Sequence, residues 1–166
     1  MKIENEFISI EITNKRATSE GPITQETVEK CIRIAMDAHE GQRDPDGNAV
    51  ILHPLLVGSM GQTDAEKCVG FLHDVVEDTD RTFDDLRQEG VPDEIIDALQ
   101  LCTHDECMDY YEYVQRIIDS RNMTAIHVKL NDLHHNIARG KAFGYPKLVE
   151  KHEKALQMIE DSLKKL

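Results

Sequence analysis

The sequence predicts an all-α fold, and three observations carry that prediction. Apolar residues recur at three- and four-residue spacing through most of the chain. Helix-capping signatures precede those periodic stretches, as at Thr24, Thr63 and Thr82. The breaks between them are short and built on Gly, Pro and Asp, with no convincing strand pairing.

At 166 residues the chain fits one domain, large enough to bury a core without disulfides or structural metal. A hydrophobic content of 40% with 31% charged residues is that of a water-soluble globule. The net charge of −13 argues against nucleic acid or an anionic membrane as the main partner. A small polyanion remains compatible, provided a metal and a few local cations offset that field. Cys31, Cys68, Cys102 and Cys107 lack paired spacing and read as reduced thiols of a cytoplasmic protein. No apolar run reaches the length of a membrane span, and no targeting pattern opens the chain.

Residues 1–22 alternate weakly through Phe7, Ile8, Ile10 and Ile12 and read as an arm or tail. Residues 23–166 read as a single domain. Thr24 caps a helix with Val28, Ile32, Ala35 and His39 on one face, ending at Gly41. Asp44-Pro45-Asp46-Gly47 is a turn. His53 precedes Pro54, which suits the first position of a helix because its missing N–H is not needed there.

Thr63-Asp64-Ala65-Glu66 is a capping box that starts a central helix running to about Glu77. Thr82 opens a short helix stopped by Gly90, and Pro92 opens another with Ile95, Ile96, Leu99 and Leu101 inward. Met108–Ile118 follows, carrying Tyr110, Tyr113 and Arg116 at spacings of three, as candidates for a substrate lid. Helices over Met123–Arg139 and Pro146–Leu166 close the chain, about eight in all.

Two stretches carry chemistry. The first is Leu72–Thr79, reading L-H-D-V-V-E-D-T. On a straight helix with His73 at zero, Asp74 falls near ~100°, Glu77 near ~40° and Asp78 near ~140°. Phe71, Leu72, Val75 and Val76 fill the complementary arc, so one face is apolar and the other packs an imidazole with three carboxylates. Acids bunched that tightly repel unless a cation neutralises them. The second stretch is the helix with Asp132: Lys129, Asn136 and Arg139 share its stripe, His135 flanks it, and His127 and His134 lie opposite.

The inward polar groups His53, His73, Asp74 and Asp132 make a mixed nitrogen and oxygen set. It suits one divalent transition metal (Mn²⁺, Fe²⁺, Co²⁺ or Zn²⁺) better than Ca²⁺ or Mg²⁺. Glu77 and Asp78, one turn on, are in reach of a water or leaving group as general base or acid.

The order H…H-D…D resembles the signature of HD-domain metal-dependent phosphohydrolases. L-H-D-V-V-E-D-T looks like the variant found in RelA/SpoT-like alarmone hydrolases and their small stand-alone relatives. The likeness extends to Ala38-His39-x-Gly41-Gln42, to Gly47-x₅-His53-Pro54 and to Val128-Lys129-Leu130-x-Asp132-x₃-Asn136. It implies an HD-domain helical bundle, usually with Mn²⁺, ligated by His53, His73, Asp74 and Asp132. It implies water activation by Glu77 and Asp78, and nucleotide contact by Lys129 and Asn136; Arg43, next to Gln42, and Arg139, on the Asp132 stripe, are further candidate substrate contacts. The implied reaction removes the 3′-pyrophosphate from (p)ppGpp.

Two features depart from the family pattern. Ala49 and Val50 replace a Pro and a Tyr, and Asp44 stands near the place of a basic residue that helps hold guanine. Two alternatives therefore stay open: an HD phosphatase acting on another nucleotide or an NADPH-like cofactor, and a non-catalytic nucleotide- or metal-binding module. A homodimer is compatible with every reading.

Overall fold

A computed structural model describes residues 22–166. The expected N-terminal arm therefore lies outside the described residues except at Pro22. Among the described residues nine helices follow in order: α1 (Gln25–Ala38), α2 (Leu52–Ser59), α3 (Asp64–Leu72), α4 (Val75–Asp78), α5 (Phe83–Gln88), α6 (Asp93–Cys102), α7 (Tyr110–Ser120), α8 (Met123–Phe143) and α9 (Pro146–Leu163). Among the described residues the only β-type pairing is one isolated bridge between Arg43 and Ala49. The all-α expectation holds.

Helix starts follow the capping signals. Thr24 Oγ1 accepts the Thr27 N–H, and Thr27 Oγ1 accepts the Thr24 N–H in return. Thr82 and Asp85 exchange the same pair of bonds at α5. At α3 only half of the expected box forms. Thr63 caps Glu66 N–H, but the Glu66 carboxylate reaches back to Gln62 N–H at 2.7 Å and across to His127 at 2.7 Å. That second contact clips α3 to α8.

The core lies where α3, α6 and α8 meet, with α1 laid over α3 and α9 over α8. Cys31, Val69, Leu72, Ile95, Leu99, Ile117 and Leu133 are buried there. Helix α8 is the axis of the bundle, about 31 Å long at 1.5 Å per residue. It runs a turn beyond the expected end at Arg139. Gly140 lies inside the helix because α9 crosses there; a Cβ on it would fall 2.7 Å from Val149 Cγ2. The helix stops at Gly144, whose φ of 78° is the left-handed conformation that glycine adopts without strain.

Helices α2 and α3 cross backbone to backbone. A Cβ on Gly70 would sit 2.7 Å from Gly58 Cα and 2.8 Å from Gly58 N. This crossing brings His53, near the start of α2, up to His73, at the end of α3. Gly70→Ala is expected to destabilise the fold by about 1–3 kcal/mol through overpacking. It should also weaken metal uptake, because the crossing sets the spacing of the two imidazoles. Urea titration and metal analysis of the purified variant check both.

The central helix departs from expectation. It does not run straight to Glu77; α3 ends at Leu72 and α4 begins at Val75, with His73 and Asp74 at the bend. Asp74 takes φ −97° and ψ −4°, between regular helix and turn. The straight wheel puts His73 and Asp74 about 100° apart, whereas the bend turns both side chains toward one point. Helix α2 likewise starts at Leu52, so His53 lies in its first turn rather than before it.

Candidate functional site

Three elements deliver the site: α2 brings His53, the α3–α4 bend brings His73 and Asp74, and α8 brings Asp132. His53 Nε2 lies 3.0 Å from Asp132 Oδ1 and 3.2 Å from His73 Nε2. Asp74 Oδ2 lies 3.3 Å from His73 Nε2 and 3.6 Å from His53 Nε2. Ligands at right angles around an ion with bonds of about 2.1 Å are separated by about 3.0 Å. Spacing and donor chemistry therefore both fit a divalent metal. His53, His73 and Asp132 are buried; Asp74 is the partly open member.

The groups behind these donors fix their orientation. His73 Nδ1 donates to the Gly70 carbonyl at 2.7 Å, which leaves the Nε2 lone pair facing the centre. His53 Nδ1 lies 2.6 Å from His135 Nδ1; with His53 as the donor of that bond, its Nε2 is left as a lone-pair donor. Asp132 accepts from Asn136 Nδ2 at 2.7 Å and from Lys129 Nζ at 2.9 Å. Burial works against the Lys129 charge, but Asp132 outweighs it and holds the lysine pKa well above its ordinary value. Asp132 is held well below the usual carboxylate range: burial opposes this, and Lys129 and the two histidines prevail. Burial also lowers the His73 pKa, yet Asp74 and Asp132 carry it up to about 9.

Glu77 and Asp78 follow on α4. Both pKa values are raised, first by loss of water on their inner sides and then by the Asp74 carboxylate. Glu77 Oε2 accepts the His104 N–H at 3.3 Å. Gln42 links His39 to this segment, meeting His39 Nδ1 at 2.8 Å and donating to the Asp78 carbonyl at 3.1 Å.

A pocket of about 190 Å³ opens beside the donors. Asn136 belongs to both sites, bonding Asp132 on one side and lining the pocket on the other. Asp44, Asp46, Arg139, Phe143, Tyr145 and His152 form much of its wall. Arg139 sits 3.4 Å from Asn136 Oδ1 and 4.0 Å from Asp44 Oδ2.

The sequence-predicted residues thus fall into groups. His53, His73, Asp74 and Asp132 come together, and Asn136 and Arg139 border them. Lys129 is buried and bonded to Asp132. Arg43 lies outside the pocket wall, its guanidinium folded onto the Gln42 carbonyl at 3.0 Å. His127 and His134 lie away from the cradle; His127 bonds Glu66 and His134 is exposed. Tyr113, expected as a lid residue, is instead a core residue whose hydroxyl donates to the Cys102 carbonyl at 2.6 Å. Sequence reasoning missed the roles of Gly70 and His104, which act through backbone atoms.

The described residues form an all-helical bundle in which His53, His73 and Asp132 lie together and Asp74 stands against both histidines. No family model matches the chain. A guanosine-3′,5′-bis(diphosphate) 3′-pyrophosphohydrolase of Haemophilus influenzae is 32% identical over 116 residues, 63% of this chain and 17% of that protein. A GTP pyrophosphokinase of Streptomyces coelicolor is 36% identical over 70 residues, 40% of this chain and 8% of that one. The chain spans less than a fifth of the length of either curated relative. A solved structure described as a metazoan ortholog of SpoT that hydrolyses ppGpp superposes with a TM-score of 0.58 at 22% identity. The match covers 84% of this chain and 96% of that one. The chain is similar in sequence to parts of these two enzymes and shares its fold with the SpoT ortholog.

Proposed function

We propose that the protein is a metal-dependent phosphohydrolase that removes the 3′-pyrophosphate of (p)ppGpp. The observation that carries this reading is the clustering of His53, His73 and Asp132, with Asp74 against both histidines and two carboxylates on the next helical turn. The sequence relationship to RelA/SpoT proteins supports the substrate. His53, His73, Asp74 and Asp132 would hold the metal, and the mixed donor set is compatible with Mn²⁺. A divalent ion there supplies Lewis acidity and makes a water more acidic.

The chain's own residues do the rest. Glu77 and Asp78 flank the open side and exchange protons: one takes a proton from the attacking water, and the other protonates the leaving oxygen. The water oxygen bonds to the phosphorus on the 3′ oxygen, the bond from that phosphorus to the 3′ oxygen breaks, and pyrophosphate departs. Asn136 and Arg139 face the pocket that would take the nucleoside end, while Lys129 acts through Asp132. Residues 23–166 form the catalytic unit in this reading, working in the cytoplasm with its cysteines reduced.

A second reading keeps the same chemistry with another phosphorylated nucleotide. Asp44 and Asp46 on the pocket wall favour it, since carboxylates repel additional phosphate groups. One turnover panel separates the two: Mn²⁺-loaded protein offered ppGpp, NADPH and nucleoside mono- and triphosphates, with Glu77→Gln as the blank. Pyrophosphate from ppGpp alone supports the first reading. Phosphate from another substrate moves the assignment to the second. A metal-loaded protein inert on the whole panel overturns both.

A further inference from the structure

The residues between α6 and α7 and the Tyr110, Tyr113, Arg116 series have no place in the mechanism so far, yet they are organised around it. The connection Thr103–Asp109 is tied down at nearly every residue. Arg116 reaches back from α7, and its Nη2 donates to the Thr103 carbonyl at 3.1 Å and to those of Gln100 and Leu101 at 3.4 Å. These are carbonyls at the end of α6, which a guanidinium both satisfies and neutralises. Tyr113 holds the Cys102 carbonyl and Thr103 Oγ1 the Leu99 carbonyl. The His104 ring bonds the Met108 carbonyl at 2.8 Å and packs 4.9 Å from the Tyr113 ring. The Asp105 carboxylate accepts the Cys107 N–H at 2.9 Å.

So firmly held a connection presents the His104 N–H to the site, and its acceptor is Glu77 Oε2. The same connection rests on the metal side as well. Tyr110 and Tyr113, against which the His104 ring packs, hold the Lys129 ammonium 5.5 Å and 5.2 Å from their ring centres, and Lys129 is bonded to Asp132. One tied segment thus touches the carboxylate beyond the cradle and packs on the tyrosines that hold the lysine behind it.

We propose that the Thr103–Asp109 connection is a positioning device for Glu77, with the His104 backbone N–H as its contact and Arg116 as its clamp. It rests on the phosphohydrolase reading, in which Glu77 moves a proton. A carboxylate on a four-residue helix has many rotamers, and one fixed N–H on a clamped loop selects among them at little entropic cost. Arg116, Tyr113 and His104 are then positioning residues: none touches substrate, and each acts through Glu77 or Lys129.

The contact can be deleted almost alone. Thr103 already adopts φ −92° and ψ 119°, the extended conformation that a residue before proline needs. His104→Pro therefore removes the donor, and His104→Ala, which keeps the N–H and loses the ring, is the baseline. On ppGpp, kcat of His104→Pro is expected to lie about tenfold below that of His104→Ala, with KM and metal content matching. In zinc-loaded, isotope-labelled protein, the Glu77 side-chain carboxyl resonance should titrate at higher pH in His104→Pro than in His104→Ala. The groups facing that carboxyl are the His104 N–H, Asp74, Asp78 and Lys129, and only the first is removed.

Arg116→Lys, which retains charge without the fork, should shift both readouts in the same direction by a smaller factor. Added to His104→Pro it should contribute almost nothing, because both act through one contact. Equal kcat and equal Glu77 titration in the two His104 variants overturn the inference. Should His104→Pro not fold, an unmoved Glu77 resonance in Arg116→Lys overturns it instead. Wild-type protein inert on ppGpp, with the Glu77 shift still present, removes the functional reading and leaves the contact standing.

Discussion

Asp132→Ala is expected to release the metal, abolish turnover and lower the melting temperature by about 10 °C. Asp132 is the junction of the site: its carboxylate faces His53 at 3.0 Å and accepts from Asn136 at 2.7 Å and from Lys129 at 2.9 Å. Lys129 is 8% exposed and lies among tyrosine rings, so deleting its partner strands an ammonium inside the protein. Breaking a buried pair from one side costs about 3–5 kcal/mol. The double variant Lys129→Met with Asp132→Ala separates the two losses. Stability should largely return, because no uncompensated charge remains, while metal content and turnover stay at zero. Calorimetry and metal analysis read both. A single variant that melts with the wild type would show that Lys129 finds another partner.

Glu77→Gln is expected to retain the metal and the fold while lowering kcat by about 10²–10⁴-fold. The substitution keeps shape and hydrogen-bonding length but removes the proton acceptor. Its pH signature follows from the raised pKa. A base acts in its ionised form, so kcat should fall as pH drops through the Glu77 pKa. Loss of water on its inner side, with Asp74 and Asp78 nearby, puts that fall above the ordinary carboxylate range. Asp78→Asn removes one of those like charges and should move the limb to lower pH in whatever activity remains. A full rate in Glu77→Gln would transfer the base role to another group.

The electrostatics of the site explain how so acidic a chain could handle a polyanion. The net charge of −13 is spread over the whole sequence, but the cradle gathers only two of its carboxylates, and one of them is paired with Lys129. A divalent ion would leave the immediate site close to neutral or positive. The pocket beside it differs. Arg139 is shared with Asp44 and Asn136, so its charge is partly offset before any ligand arrives.

Several features were legible in the sequence because they depend on local chemistry. Thr24 and Thr82 cap helices as short-range hydrogen bonding requires, and the 3.6-residue period placed Ile95, Ile96 and Leu99 in the core. The donor set was legible for a different reason: His-Asp and Glu-Asp pairs on an apolar-backed segment make little electrostatic sense without a cation. The stripe through Lys129, Asp132 and Asn136 followed from periodicity alone, and so did the displacement of His127 and His134 from it.

Long-range contacts were not legible. A straight wheel could not anticipate the bend at His73 and Asp74, which sets two neighbouring side chains on one point. The closeness of α2 and α3 depends on Gly58 and Gly70 meeting across the crossing, and a glycine in a helix carries no mark of what will lie against it. Lys129 read as a ligand-facing cation on the wheel; the fold closes Tyr110 and Tyr113 over it and commits it to Asp132. Contacts through backbone atoms, such as the Gly70 carbonyl on His73 and the His104 N–H on Glu77, have no side-chain signature. The sequence alone determined which residue types the chain commits to chemistry and on which helix faces they stand, because those follow from covalent spacing. Only the tertiary structure decided which faces meet and at what distance, because that depends on packing among segments up to 99 residues apart, the separation of Asp46 and Tyr145.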